Sequence, residues 1–185
     1  MYLRLEESRE RRGVEEDNMN ISPNFKLEEF EIDGPMPLEC RQAYIELANE
    51  VLEPAHGYAK RTFPVCLMKI TSGWRPPEAN AAAHGQKDSE HMATADRAAA
   101  DFLIPGVAMR ALFDWMRMNP ELPFHQLILE HGKKSTVIHV SWNRLKPGVR
   151  SVLEGAEHNA EPYIAVDHVG YKPLLPVLHP DLSSE

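Results

Sequence analysis

Two apolar stretches near the middle of the chain, FHQLILE (residues 124–130) and TVIHVSW (residues 136–142), decide the fold. Both are rich in residues that favour β-strands, and the short polar segment HGKKS (residues 131–135) joins them. Two such runs separated by a short segment that contains glycine are typical of a β-hairpin. We therefore expect an antiparallel hairpin at this point of the chain.

Helical patterns occur on the N-terminal side of this hairpin. Apolar residues recur at helical spacing in residues 38–52 and again in residues 109–116. The first of these helices is expected to end near Pro54 to Gly57, because proline and glycine are unfavourable in a helix interior. A shorter helix is expected at residues 78–83, directly after two prolines, which suit a helix start.

Short strand patterns separate these helices. Residues 65–71 and 100–104 are brief runs rich in apolar residues, and the second run is closed by Pro-Gly. The order is therefore helix, strand, helix, strand, helix and hairpin. This order predicts an α+β domain in which helices pack on a small antiparallel sheet.

Composition divides the chain into three parts. Residues 1–22 mix acidic and basic side chains with few large apolar ones, which predicts a charged N-terminal arm. Residues 23–155 contain the periodic segments and form the predicted domain, which is long enough to bury a core without disulfides. Residues 156–185 are punctuated by proline and histidine, and we expect an extended tail that lies over the domain or contacts a partner.

Charge and hydropathy exclude several kinds of partner. The formal net charge of −8 at pH 7 argues against a nucleic-acid partner, which requires a basic surface. No apolar run has the length of a signal peptide core or of a membrane span, so we expect a protein made in the cytoplasm, without a membrane partner. Cys40 and Cys66 are too few for a disulfide scaffold and are expected to be buried thiols.

Three residues indicate a metal site. His139 lies between two β-branched residues in a strand-like run, so its imidazole points to the face opposite theirs. His91 ends the polar motif SEH (residues 89–91), and Asp101 directly precedes the run FLI. Two imidazoles and one carboxylate form the ligand set of a catalytic zinc site that leaves one position open for water.

The order of these motifs resembles that of the M15 metallopeptidases, the D-Ala-D-Ala carboxypeptidase-like and phage endolysin peptidases that cut peptidoglycan stem peptides. The stretch SGWRPPEAN (residues 72–80) is similar to the family's Ser-Gly-Tyr-Arg-Ser-Pro motif with its nearby Asn, and SEH followed by ADF (residues 100–102) is similar to its Ser-x-His and Ala-Asp motifs. The strand QLILE (residues 126–130) resembles the one before the family's last His. The resemblance implies a Hedgehog/DD-peptidase-like fold with Zn²⁺ on His91, Asp101 and His139.

The spacing of the first two ligands departs from the family pattern. The family separates its first His from the Asp by seven positions, whereas ten positions separate His91 from Asp101. We favour Asp101 because it opens a strand-like run, as the family's Asp does. The extra residues in 92–97 must then bulge out of the turn. Asp96 is the alternative ligand, and its other interpretation is a loop carboxylate beside a basic residue.

The general base also departs from the family pattern. Many members carry an acidic residue three positions before the last His, but Thr136 occupies that position here and cannot accept a proton at neutral pH. Glu130 is the available substitute, because the hairpin returns it close to the strand of His139. The alternative interpretation of Glu130 is a turn carboxylate paired with Lys133 or Lys134.

The resemblance also suggests residues that contact the substrate. Arg75 would hold the scissile carbonyl oxygen or a terminal carboxylate, for which its planar guanidinium is suited. Ser89 and Trp74 would line the substrate cleft. Three further histidines lie near the motifs and could replace or orient a ligand; they are His84, His125 and His131.

The predicted function is therefore a zinc peptidase that hydrolyses peptidoglycan stem peptides, as a carboxypeptidase or an endopeptidase. A wall substrate lies outside the cytoplasm, so we expect a phage lysin released through a membrane pore or a virion component carried to the cell surface. The alternative is a catalytically weak or inactive M15-like module of a virion or tail assembly. Its arm and tail would then contact virion partners.

Overall fold

The computed structural model describes residues 19–156 and 164–165. The first 18 residues of the predicted arm and most of the predicted tail lie outside the described residues, so these boundaries stay predictions. Ile21 is buried and Asn20 forms a β-bridge with Lys26, so the end of the predicted arm packs on the domain. Within the described part, no helix is both long and apolar enough to cross a membrane.

A six-stranded sheet forms the centre of the fold, with the strand order β1-β2-β4-β3-β5-β6. In chain order, β1 to β6 are Lys69–Ser72, Arg97–Leu103, Gln126–His131, Thr136–Asn143, Ser151–Ala156 and Ile164–Ala165. The predicted hairpin is present as the antiparallel pair β3 and β4.

The α+β class is confirmed, but the sheet is mixed and not wholly antiparallel as predicted. All neighbouring strands are antiparallel except β3 and β5, which run parallel. Strand β5 was not predicted, because its six residues contain only two large apolar side chains, Val152 and Leu153. Ile164 and Ala165, which belong to the predicted tail, extend the sheet by pairing with β5.

Most of the helical segments pack on one face of this sheet, whereas the short helix after β1 contributes no side chain to the apolar core. A 3₁₀ helix spans Leu27–Phe30, and the α-helices α1 to α4 span Leu38–Glu46, Glu53–Thr62, Pro77–Ala82 and Arg110–Met118. A π-helical segment, Leu47–Leu52, joins α1 to α2 without a break. The helix therefore continues past Pro54 to Thr62, contrary to the predicted end. The π-helical segment already interrupts the regular i→i−4 hydrogen bonds directly before Pro54, so the missing N–H of this proline is tolerated there.

Alternation along the central strands separates a packed face from a polar one. On β4, Ile138 and Val140 are fully buried in the core beneath the helices, whereas His139 lies on the opposite face. On β2, Phe102 packs into the same core, and Asp101 lies opposite. Each large apolar side chain buried in this way contributes about 1.5–3 kcal/mol relative to exposure. The core therefore fixes the direction in which His139 and Asp101 point.

Candidate metal centre and its cavity

Three buried side chains converge on the polar face of the sheet. His91, Asp101 and His139 each offer one ligand atom, and these atoms all lie within 4.8 Å of one another. All three residues are buried. A group of this kind could bind a metal ion, and we refer to it as the metal centre.

Strand register brings two of these residues together. Asp101 on β2 is directly opposite His139 on β4, and Ser72 at the end of β1 is opposite Asp101 on the other side. Side chains of directly opposed residues project from the same face of a sheet. The alternation predicted from the sequence around His139 therefore holds, and it aims the imidazole at the Asp101 carboxylate.

His91 reaches the centre from a loop that Gly73 holds in place. The Nδ1 atom of His91 lies 2.7 Å from the Gly73 carbonyl oxygen. The backbone N–H of Arg75 donates a hydrogen bond to the backbone carbonyl of His91 at 2.9 Å. A Cβ on residue 73 would lie 2.4 Å from the Phe30 carbonyl oxygen, so only glycine fits at this close approach. Gly73 thus allows the loop and β1 to meet the core closely enough to orient His91.

The hydrogen bonds fix which nitrogen of each imidazole faces the centre. A carbonyl oxygen only accepts, so Nδ1 of His91 carries the proton and Nε2 presents its lone pair to the centre. For His139, Nδ1 faces the centre, whereas Nε2 is buried and makes no hydrogen bond in the described part of the chain. The ligand atoms are therefore Nε2 of His91, Nδ1 of His139 and Oδ1 of Asp101.

The separations of these atoms fit a small tetrahedral ion. Nε2 of His91 lies 3.1 Å from Oδ1 of Asp101 and 3.1 Å from Nδ1 of His139, and the last two atoms are 2.8 Å apart. Zinc with bonds of about 2.0–2.1 Å in tetrahedral geometry requires ligand atoms about 3.3 Å apart. The residues present fit such an ion after outward shifts of a few tenths of an ångström.

The charges within the centre favour an ionised carboxylate. Burial alone would raise the pKa of Asp101, but its interactions with His91 and the hydrogen bond from His139 hold that pKa well below its ordinary value. Burial lowers the pKa of His139, yet the hydrogen bond and charge of Asp101, with smaller effects of Glu130 and Glu90, raise it overall. Without a metal ion, Asp101 therefore favours the protonated form of His139.

This proton must leave when a metal ion binds, which gives a testable pH dependence. Because the pKa of His139 is raised, its imidazole stays protonated to higher pH than an ordinary histidine, and metal competes with that proton. Zinc affinity should fall roughly tenfold for each pH unit below the pKa of His139, whereas Asp101 stays ionised throughout. Chelator-competition titrations between about pH 8 and about pH 5.5 measure this slope, and an affinity independent of pH would contradict it.

The metal centre opens into a cavity of about 490 Å³. Its lining includes the side chains of all three centre residues together with Arg75, Ser89 and Glu130, three of the predicted site residues. Trp74 does not belong to this lining and packs against the core instead, because its backbone N–H is held by the Phe30 carbonyl at 2.8 Å. The structure thus gives no support to the predicted substrate contact of Trp74.

Arg75 lies beside the centre but is partly engaged by protein groups. Its Nη2 donates to Oδ2 of Asp101 at 2.9 Å, and its Nε donates to the Ser72 hydroxyl at 2.8 Å. Asp33 lies 4.0 Å from the same Nε. The guanidinium therefore orients the Asp101 carboxylate, leaving Oδ1 for the centre, and only its remaining N–H groups are available to a substrate.

Asp96, the alternative ligand, lies away from the centre, and so does Thr136, which occupies the position of the family's base. Asp96 forms an ion pair with Arg144, and its carbonyl oxygen accepts the Arg144 N–H at 2.8 Å, so it is turned away from the histidines. Thr136 lines a different cavity. The strand that carries Asp101 begins at Arg97, three residues earlier than predicted, and residues 92–96 form the turn before it.

One pair in the cavity contains Glu90, which was assigned no role from the sequence, and His125, which was predicted to replace or orient a ligand. Glu90 and His125 both line the cavity, and Oε2 of Glu90 lies 2.9 Å from Nδ1 of His125. Burial alone would raise the pKa of Glu90, but hydrogen bonds from His125, Ser141 and Asn143 hold it below its ordinary value. The only signal in the sequence is the position of Glu90 directly before His91, since its partners lie more than 30 residues away.

No protein-family model, curated protein or solved structure matches this chain. The M15 resemblance, and the Hedgehog/DD-peptidase-like fold that it implies, therefore stay predictions that rest on the motifs. The metal-binding capacity of the three buried residues rests on their geometry alone.

Proposed function

We propose that this protein is a zinc-dependent peptidase that hydrolyses peptidoglycan stem peptides. The observation that carries the proposal is the buried group of His91, Asp101 and His139, which opens directly into a cavity of about 490 Å³. A metal group that only stabilised the fold would have no need of such an opening, since structural zinc sites are closed by four protein ligands.

Zinc is the metal that this ligand set favours. Two imidazole nitrogens and one carboxylate oxygen suit Zn²⁺, whereas Mg²⁺ and Ca²⁺ prefer oxygen ligands. Bound at the centre, zinc would lower the pKa of a water molecule and polarise a carbonyl group. Arg75 supports the set by holding Oδ2 of Asp101, which leaves Oδ1 directed at the two imidazoles.

The remaining chemistry is assigned to residues of the cavity. Glu130 projects from the same face of the sheet as His139, close enough for its charge to raise the pKa of His139. We assign to Glu130 the removal of a proton from the attacking water. The free N–H groups of Arg75 would stabilise the oxygen of the scissile carbonyl, and Ser89 would contact the peptide.

Peptidoglycan as the substrate rests on the resemblance of the motifs to M15 peptidases, and the character of the cavity supports a peptide. Its lining mixes cationic and anionic side chains, which suits a chain carrying both carboxylates and amino groups; they include Arg75, Arg97, Lys146, Asp88 and Glu130. The cavity is also open and polar enough to admit a hydrated peptide.

Incubation with purified peptidoglycan tests this function. We expect new amino groups to appear with the protein in its zinc form and to disappear after chelation, and mass spectrometry of the products to show which bond is cut. Products without new amino groups, such as those from sugar-bond cleavage, would contradict a peptidase.

A non-catalytic module is the second candidate. It is favoured by Thr136, which stands where many M15 members carry the base, and by the engagement of Arg75 with Asp101. Such a module would bind zinc at the same centre and leave peptidoglycan intact. The measurement above separates the two functions.

A further inference from the structure

A second imidazole–carboxylate pair lies in the same cavity as the metal centre, outside its ligand set. Nδ1 of His125 is 2.9 Å from Oε2 of Glu90, and the two side chains are 14% and 10% exposed. The other oxygen of Glu90 accepts the Asn143 amide at 2.6 Å. Glu90 is therefore held on both oxygens, and its position determines that of His125.

The hydrogen bond also determines which end of His125 faces the cavity. A carboxylate only accepts hydrogen bonds, so Nδ1 of His125 carries the proton and Nε2 is at the free end of the ring. Nε2 makes no hydrogen bond in the part of the chain that the structure describes. An imidazole held at Nδ1 by a carboxylate is suited to transfer a proton through Nε2, because the carboxylate stabilises the imidazolium.

Along the chain of β3, His125 and Glu130 lie on opposite sides of the position that faces His139. His139 is directly opposite Ile128 on β3, so His125 precedes that position by three residues and Glu130 follows it by two. At about 3.3 Å per residue, the backbone of His125 lies about 10 Å from Ile128 along the strand, and that of Glu130 lies about 7 Å from it in the other direction. The His125 backbone is fixed at both sides, to Ser141 and to Ser151, at 2.8 Å each.

We propose that His125 delivers the proton to the leaving amine nitrogen, and that Glu90 is the residue that positions it. This role rests on the proposed peptidase function. As water attacks, an oxygen–carbon bond forms and Glu130 takes one water proton. The carbon–nitrogen bond then breaks, and the nitrogen keeps the electron pair. It takes the proton that Nε2 carries in the imidazolium form of His125, which leaves the neutral imidazole with its proton on Nδ1 beside Glu90.

The proton balance closes with solvent. Glu130 releases its proton and His125 regains one, while the new carboxylic acid loses the second water proton. The products are a carboxylate and an amine that is protonated at neutral pH. Two groups on either side of the scissile bond thus divide the proton transfers that a single base would otherwise perform.

His125→Asn tests the role, because the Asn amide retains a donor near the position of Nδ1 and removes Nε2. With a synthetic stem pentapeptide as the probe, kcat should fall by about 10²–10³-fold while KM and zinc content stay near those of the parent protein. His131→Asn is the matched control. His131 is the last residue of β3 and also pairs with a carboxylate, Glu154, at 2.9 Å, but it lies outside the cavity.

A change of leaving group separates proton delivery from a structural role. A nitrophenyl ester of the same peptide releases a phenolate that needs no proton, so His125→Asn should hydrolyse it at close to the parental rate. Equal losses on peptide and ester, a loss of zinc, or peptide turnover like that of the parent would each overturn the role. Recovery of peptide hydrolysis in His125→Gln would also overturn it, because that amide donates a hydrogen bond but transfers no proton.

The same experiment distinguishes this role from the function on which it rests. A zinc-loaded parent protein that leaves the pentapeptide intact would defeat both. An active parent with an equally active His125→Asn variant would defeat only the role of His125.

Discussion

Replacing His139 by alanine should eliminate both zinc binding and peptidoglycan hydrolysis. The variant removes Nδ1, which lies 2.8 Å from Asp101 and 3.1 Å from His91, and leaves only two ligands. Zinc at 100 times its Kd should stabilise the parent by about 2.7 kcal/mol and leave the variant unchanged. Metal analysis after dialysis, thermal unfolding with and without zinc, and the release of amino groups measure the three effects.

The matched control for this variant is His131→Ala. His131 is nearly half exposed and pairs with Glu154, so its loss should leave zinc content and turnover unchanged. If the His139 variant kept its zinc, the ion would be bound elsewhere, and the assignment of the metal centre would be wrong. Circular dichroism establishes that the variant is folded before the other measurements are compared.

Glu130→Gln should retain the metal and the fold while lowering turnover by about 10²–10⁴-fold. The amide matches the carboxylate in shape but cannot take a proton from water. Glu130 is not one of the three residues of the metal centre, so the zinc content should not change. Initial rates on purified peptidoglycan and on the stem pentapeptide, together with metal analysis, measure this prediction.

Glu154→Gln is the control, because it removes a carboxylate from a strand of the same sheet but not from the cavity. Glu154 lies on the neighbouring strand β5 and pairs with Arg110 and His131, outside the cavity. Its variant should hydrolyse peptidoglycan like the parent. Parental rates in the Glu130 variant would show that another group accepts the proton from water.

The parts of the fold that the sequence predicted are those with local periodicity. The hairpin of β3 and β4 and the helix Arg110–Met118 follow directly from alternation and from helical spacing. The strand β5 could not be predicted, because it carries only two large apolar side chains and pairs in parallel with β3 instead of forming a hairpin with its neighbour in the sequence. The continuation of the helix past Pro54 depends on a π-helical segment, which has no clear signature in the sequence.

The candidate site shows the same division between local and distant information. The two β-branched neighbours of His139 predicted that its side chain projects from the face of the strand opposite theirs. In the structure it does so, and the imidazole lies beside Asp101 on the neighbouring strand. The exclusion of Asp96 depends on Arg144, which lies 48 residues further along the chain. Likewise, Glu90 and His125 are 35 residues apart, so their pairing appears only when β3 lies beside the loop of His91.

Titration of zinc into the metal-free protein, with simultaneous measurement of amino groups released from purified peptidoglycan, tests the central claim most directly. We expect activity to rise in proportion to added zinc and to reach its maximum at one zinc ion per chain, as the single His91, Asp101 and His139 group of the described residues requires. A protein that takes up one zinc ion at this centre and still releases no amino groups would contradict the account.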